Sequence, residues 1–409
     1  MRIAFIALYI LTSCIAFAQS PEAFKVPLYK ASIHRGDSVD IVFTFQLKKE
    51  DNKPVVYIIN GNEKIRLDKV DVTGDSIKMD MPVFESSFKA KIAVTTWTGT
   101  WTRGTSANDI TLPFTAEPSS SRFEAVKGKA VHNITGRWAS TFANDKTKAD
   151  GSVAEFLQKG DKLTGTFLTP SGDYRYLEGI VTGNTLKLSG FDGIHAMVFM
   201  ADITSNNSIE NGMYYSGAKY KEAWKAVKDP NATVITDSSN MRLKPGEDKL
   251  SFTFPDLDGK PVSIKDEAYK KKVVILQIMG SWCPNCMDEM KFLSAYYDAN
   301  KNRGVEIIGL AYEYSTDFDR SVKSLRKFQK QFDVKYPMLV TGVKVSDSLK
   351  TEKTLPEVSP IKVFPSSIII DKQGKVRKFD SGFVGPGTGS HYEEYKKEFA
   401  ATIDELLKE

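Results

Sequence analysis

Cysteine is nearly missing from this chain. There are three in 409 residues, and two of them, Cys283 and Cys286, are separated by only two residues. A framework of structural disulfides is therefore excluded. The histidines His34, His132, His195 and His391 stand singly, and Cys14 is the one other cysteine. The close pair thus lacks the two further ligands that a zinc site needs, and no metal is expected. Charge of one sign is lacking too. A net charge of +5 with no basic stripe makes nucleic acid an unexpected partner. After the first residues no apolar run reaches the roughly 20 residues of a membrane-spanning helix. Gly385-Pro386-Gly387-Thr388-Gly389 follows no strand–turn–helix start and reads as a loop rather than a dinucleotide site. No cofactor is expected.

The start of the chain is different. Arg2 precedes the apolar run Ile3 to Leu11, and Ala16-Phe17-Ala18 follows. A charged start, an apolar core and a small-x-small site predict a secretory leader over 1–18. Leu11-Thr12-Ser13-Cys14 is similar to a bacterial lipobox, so membrane attachment is expected only if Cys14 is lipidated. Cleavage after Ala18 is the favoured reading. The expected location is exported, in the periplasm or cell envelope. The mature chain then keeps two cysteines, both in one motif, and their use is chemical.

That motif is Trp282-Cys283-Pro284-Asn285-Cys286. It ends the apolar run Val273 to Met279 and opens a helical pattern carrying Met287, Met290, Leu293 and Tyr297. The first N–H groups of a helix have no intrahelical partner, and the helix dipole adds positive charge there. Both favour thiolate at Cys283. Pro284 suits the first turn. Cys286, one turn on, is placed to close a small ring with Cys283. The pair reads as a reversible dithiol/disulfide.

Residues 19–125 and 126–228 are two β-rich blocks. In the first, period-2 segments such as Ile77 to Met81 are separated by Asn60-Gly61 and Thr73-Gly74-Asp75, predicting an antiparallel sandwich or barrel. In the second, turns recur at Gly160-Asp161, Gly172-Asp173, Gly183-Asn184 and Asp192-Gly193. That is a meander, with a strand expected over 174–179, and it resembles lipocalin-type barrels. Trp97, Trp101, Tyr214, Tyr215 and Trp224 are candidates for a binding face, although burial is the commoner fate of such residues. Residues 229–246 read as a linker. Residues 247–409 alternate strands and helices, which predicts an α/β sheet with βαβ crossovers. The chain is thus expected to be multidomain.

Trp282-Cys283-Pro284-Asn285-Cys286 with Glu289, and Phe364-Pro365-Ser366 before Ile368-Ile369-Ile370-Asp371, resemble the thioredoxin superfamily, and within it the exported TlpA/ResA type. The resemblance covers residues 247–409. It implies a thioredoxin-like fold and a cis Pro365 beside Cys283. It implies substrate contacts from Trp282, Pro284, Phe364 and Pro365. Phe364 departs from the small or β-branched residue usual there. Gln277 stands where thioredoxins carry a buried Asp, six residues before the first cysteine, so Glu289 is the expected proton acceptor for Cys286. The function implied is a thiol-disulfide oxidoreductase that reduces protein disulfides, supplied with electrons by a membrane thiol donor. One alternative is an envelope ligand-binding protein acting through the β blocks. A peroxiredoxin-like peroxidase is less expected, because Leu276 to Trp282 contain no Pro or Thr.

Overall fold

The computed structural model describes residues 22–93, 95–104, 109–124, 128–143, 151–234 and 241–409. The predicted leader, Cys14, and part of the 229–246 stretch lie outside them.

The first block is one nine-stranded antiparallel sheet. Its order runs Glu63–Leu67, Lys53–Asn60, Asp40–Glu50, Tyr29–His34, Ile110–Pro118, Trp97–Arg103, Ser86–Lys91, Ser76–Asp80, Lys69–Thr73. The two outermost strands are consecutive in the chain with only Asp68 between them, so the sheet must roll up on itself. Alternate residues of each strand face inward. Tyr29, Phe43, Phe45, Phe88, Trp97, Trp101 and Phe114 are buried there. Gly99 lies between facing strands, where a β-carbon would sit 2.0 Å from the Lys89 carbonyl oxygen.

In the second block eight strands close a ring. Gly136–Phe142, Ser152–Lys159, Lys162–Thr169, Leu177–Thr182, Thr185–Phe191, Ala196–Ser205, Ser208–Ser216 and Tyr220–Lys228 pair in turn, and the last pairs with the first. Closure leaves no open edge. A barrel of this size is just wide enough for side chains to fill, and here aromatic rings fill it. Phe199 stacks on Tyr214 at 4.4 Å and on Phe167 at 4.5 Å, and Trp224 meets Phe167 edge-on at 5.2 Å. The aromatics considered for a binding face are therefore mostly core. Trp97, Trp101, Tyr214 and Trp224 are buried, and Tyr215 lies under the Arg35 guanidinium. The strand expected over 174–179 begins at Leu177. Arg175 has φ +56°, a left-handed conformation that breaks an extended strand.

The C-terminal sheet has the order Met338–Val340, Val305–Ala311, Val273–Met279, Ser366–Ile370, Val376–Ser381. The first three are parallel, and Ser366–Ile370 runs antiparallel to the central strand. Helices α1 (Pro284–Asn300), α2 (Phe318–Gln331), α3 (Lys350–Thr354) and α4 (Ser390–Lys408) surround it. All seven residues of Val273–Met279 are buried, as an apolar run covered on both faces demands. Residues 241–246 lie along this domain, with Lys244 N–H on the Glu357 carbonyl at 2.8 Å. Among the described residues no helix is long and apolar enough to cross a membrane.

Candidate active site

The central strand ends in a tight turn that delivers Cys283 to the start of α1. Gly280 makes the turn fit, since a β-carbon there would meet the Trp282 ring at 2.2 Å. Cys283 caps the helix in extended conformation, and its Sγ accepts the Cys286 N–H at 3.1 Å. Cys283 and Cys286 form a disulfide with Cα atoms 5.2 Å apart. The two sulfur residues are unequal: Cys283 is 4% exposed and Cys286 0%. The Phe364–Pro365 bond is cis, and the Phe364 carbonyl oxygen lies 3.6 Å from Cys283 Sγ. Trp282 donates its indole N–H to the Tyr312 carbonyl at 2.8 Å and packs against Phe364 and Tyr314.

Beneath the dithiol lies a buried carboxylate. Glu289 follows Cys286 by three residues, so the two share a face of α1. It is 1% exposed. Its oxygens accept from Gln277 Nε2 at 2.8 Å and Ser367 Oγ at 2.9 Å. Burial pushes its pKa up to about 7, against the pull of those two hydrogen bonds. Tyr336 donates to Gln277 Oε1 at 3.4 Å, which orients the amide. Asp380, itself paired with Lys378 at 3.2 Å, adds a smaller upward push by repulsion.

The other side of the dithiol is covered by the barrel. Asn285, inside the motif, donates to the Asp173 carbonyl at 3.0 Å. Arg175 donates to the Pro284 carbonyl at 3.2 Å. Its guanidinium also pairs with Asp288 of α1 and with Glu63 of the first sheet. The Asp173 carboxylate accepts from Arg175 N–H and Gly385 N–H, each at 2.7 Å. Between barrel and dithiol a cleft of about 420 Å³ remains, with Cys283, Trp282, Pro284 and Phe364 on one wall. Pro365 does not line this cleft; it is buried, and its carbonyl accepts from Gly382 N–H at 2.9 Å.

The profile of the AhpC/TSA family matches residues 245–379. The thiol-disulfide oxidoreductase ResA of Bacillus cereus (strain ATCC 10987 / NRS 248) is 33% identical over 160 residues, which are 39% of this chain and 81% of that protein. The chain belongs to the ResA-type thiol-disulfide oxidoreductases. ResA of Bacillus subtilis is 26% identical over 34% of this chain and 69% of its own length. A crystal structure of a thiol:disulfide interchange protein of the thioredoxin family from Chlorobium tepidum shares 20% identity, covering 41% of this chain and 97% of that one with a TM-score of 0.31. The redox domain thus carries the kinship, and the two β blocks lie outside these matches.

For a ResA-type enzyme the residues that sequence reasoning missed are those the barrel brings. Ser367 had a local signal, being next but one to Pro365. Arg175 and Asp173 had none, since each reaches the motif from more than a hundred residues away, and Glu63 of the first sheet joins only through Arg175.

Proposed function

We propose that this redox enzyme works in the cell envelope and reduces protein disulfides, with Cys283 as attacking sulfur and Cys286 as resolving sulfur. The observation that carries the reading is the asymmetry of the pair: Cys283 lines the cleft at a helix start, and Cys286 is fully buried three residues before the buried Glu289 on the same helix. The Cys283 thiolate attacks a substrate disulfide and releases one substrate thiol. Glu289 takes the proton of Cys286, and the Cys286 sulfur then displaces Cys283 from the mixed disulfide, releasing the second substrate thiol. Two electrons leave the dithiol, which is regenerated by a membrane thiol donor. Trp282, Pro284 and Phe364 line the docking side, and the buried Pro365 adjoins Phe364 in the chain. The apolar leader with its small-x-small site supports export. The aromatic filling of the barrel supports a redox role over ligand storage inside it.

The test is the reduction potential of Cys283–Cys286, equilibrated against glutathione or dithiothreitol. A value near or below about −270 mV, as in thioredoxin, supports the reductant role. A value near about −120 mV, as in a strong oxidant, reverses the direction.

A further inference from the structure

We propose that the barrel supplies the second wall of the substrate cleft and selects an extended peptide segment whose disulfide-forming cysteine is flanked by aromatic or apolar, not acidic, side chains. This rests on the redox reading of Cys283 given above.

The cleft's size sets the first limit. At about 420 Å³ it holds a few residues of chain, at the lower end of ordinary ligand pockets. A flat folded surface does not reach Cys283, which is 4% exposed with the barrel tied across it. The wall chemistry sets the second limit. Tyr174 and Tyr220 of the barrel, with the edges of the buried Tyr214 and Met197, line the same cleft as Trp282 and Phe364 of the redox domain. Tyr220 is the most open of these rings, 47% exposed, packed edge-on against Tyr214 at 5.8 Å. Its hydroxyl donates to Glu222 at 2.6 Å, which fixes the ring's position.

Charge sets the third limit. The two basic residues lining the cleft, Arg175 and His195, are already engaged by acids. Arg175 pairs with Asp288 and Glu63, and His195 faces Asp192 at 3.1 Å. The Asp173 carboxylate is taken up by two backbone N–H groups. An acidic ligand, glutathione disulfide included, finds aromatic faces and committed carboxylates. An aromatic side chain beside the cysteine finds partners in edge and face geometry.

The experiment uses the full-length enzyme in its dithiol form and two short symmetrical peptide disulfides, identical except for Trp or Asp beside the cysteine. Each turnover oxidises Cys283–Cys286 and reduces the peptide disulfide to two thiols. The Trp peptide is expected to exceed the Asp peptide in kcat/KM by about tenfold, with glutathione disulfide no better than the Asp peptide. Tyr220→Ala should remove most of that ratio, and Tyr220→Phe, which keeps the ring, should preserve it. Equal rates with both peptides, or a ratio unmoved in Tyr220→Ala, overturn the inference and leave the redox reading standing. Reduction of neither peptide overturns the redox reading itself.

Discussion

Arg175 of the barrel forms an ion pair with Asp288 of α1, two residues beyond Cys286. The same guanidinium holds Glu63 of the first sheet. One side chain therefore joins all three parts of the molecule beside the dithiol. Burial pulls its pKa down, but the acids around it together drive it up. Burial pushes Asp288 up to about 7, against the pull of Arg175.

Removing that guanidinium leaves two largely buried carboxylates facing each other. Arg175→Ala is expected to destabilise the protein by about 3–5 kcal/mol, the usual cost of breaking a buried pair from one side. Arg175→Met with Asp288→Asn should recover part of this. Denaturant midpoints of the three proteins check it. A single variant as stable as wild type would show that the clamp contributes nothing.

Glu289 has a pH signature in kinetics and in stability. Its carboxyl titrates near 7, so the rate of mixed-disulfide resolution should rise through that pH and lose the inflection in Glu289→Gln. Stability moves the other way. The folded protein holds the proton above the ordinary value of 4.5, so this group makes the fold less stable as pH rises from about 4.5 to about 7. Glu289→Gln should gain up to about 3 kcal/mol over wild type at pH 8 and nothing at pH 4. The gain is an upper bound, because the Gln amide replaces one acceptor with a donor. Asp288 titrates in the same window, so the difference between variant and wild type is the quantity to measure.

Cys286→Ser should trap a mixed disulfide through Cys283, visible as an added substrate mass that dithiothreitol removes. Cys283→Ser should trap none and turn over nothing. Adducts on Cys286 in the second variant would reverse the assigned roles.

Gly280→Ala places a β-carbon 2.2 Å from the Trp282 ring nitrogen. The ring must leave, and its 2.8 Å bond to Tyr312 is lost. A loss of about 1–3 kcal/mol is expected, together with slower attack by Cys283. Urea unfolding and stopped-flow oxidation report the two effects separately.

Local patterns were legible in the chain. Val273 to Met279 is apolar at every second position and more, which a strand covered on both faces requires, and it is the central strand. Val322, Leu325 and Phe328 recur at helical spacing in the chain, and they lie on α2, which Asp317 caps. The strand expected at Tyr174 failed for a local reason that alternation does not reveal. Arg175 takes a left-handed turn because Asp173, Asp288 and Glu63 hold both its backbone and its head.

By itself the sequence determined the redox pair, the strand that ends at it, the helix that begins at it, and the carboxylate three residues on. All of these are set by spacing along one segment, where neighbours in the chain are neighbours in space. Only the tertiary structure decided that a closed barrel covers the dithiol, that Glu289 is sealed against Gln277 and Ser367, and that Arg175 ties the parts together. Those contacts join residues from 12 to 113 positions apart. They follow from sheet closure and from the pairing of buried charges, which no local pattern records.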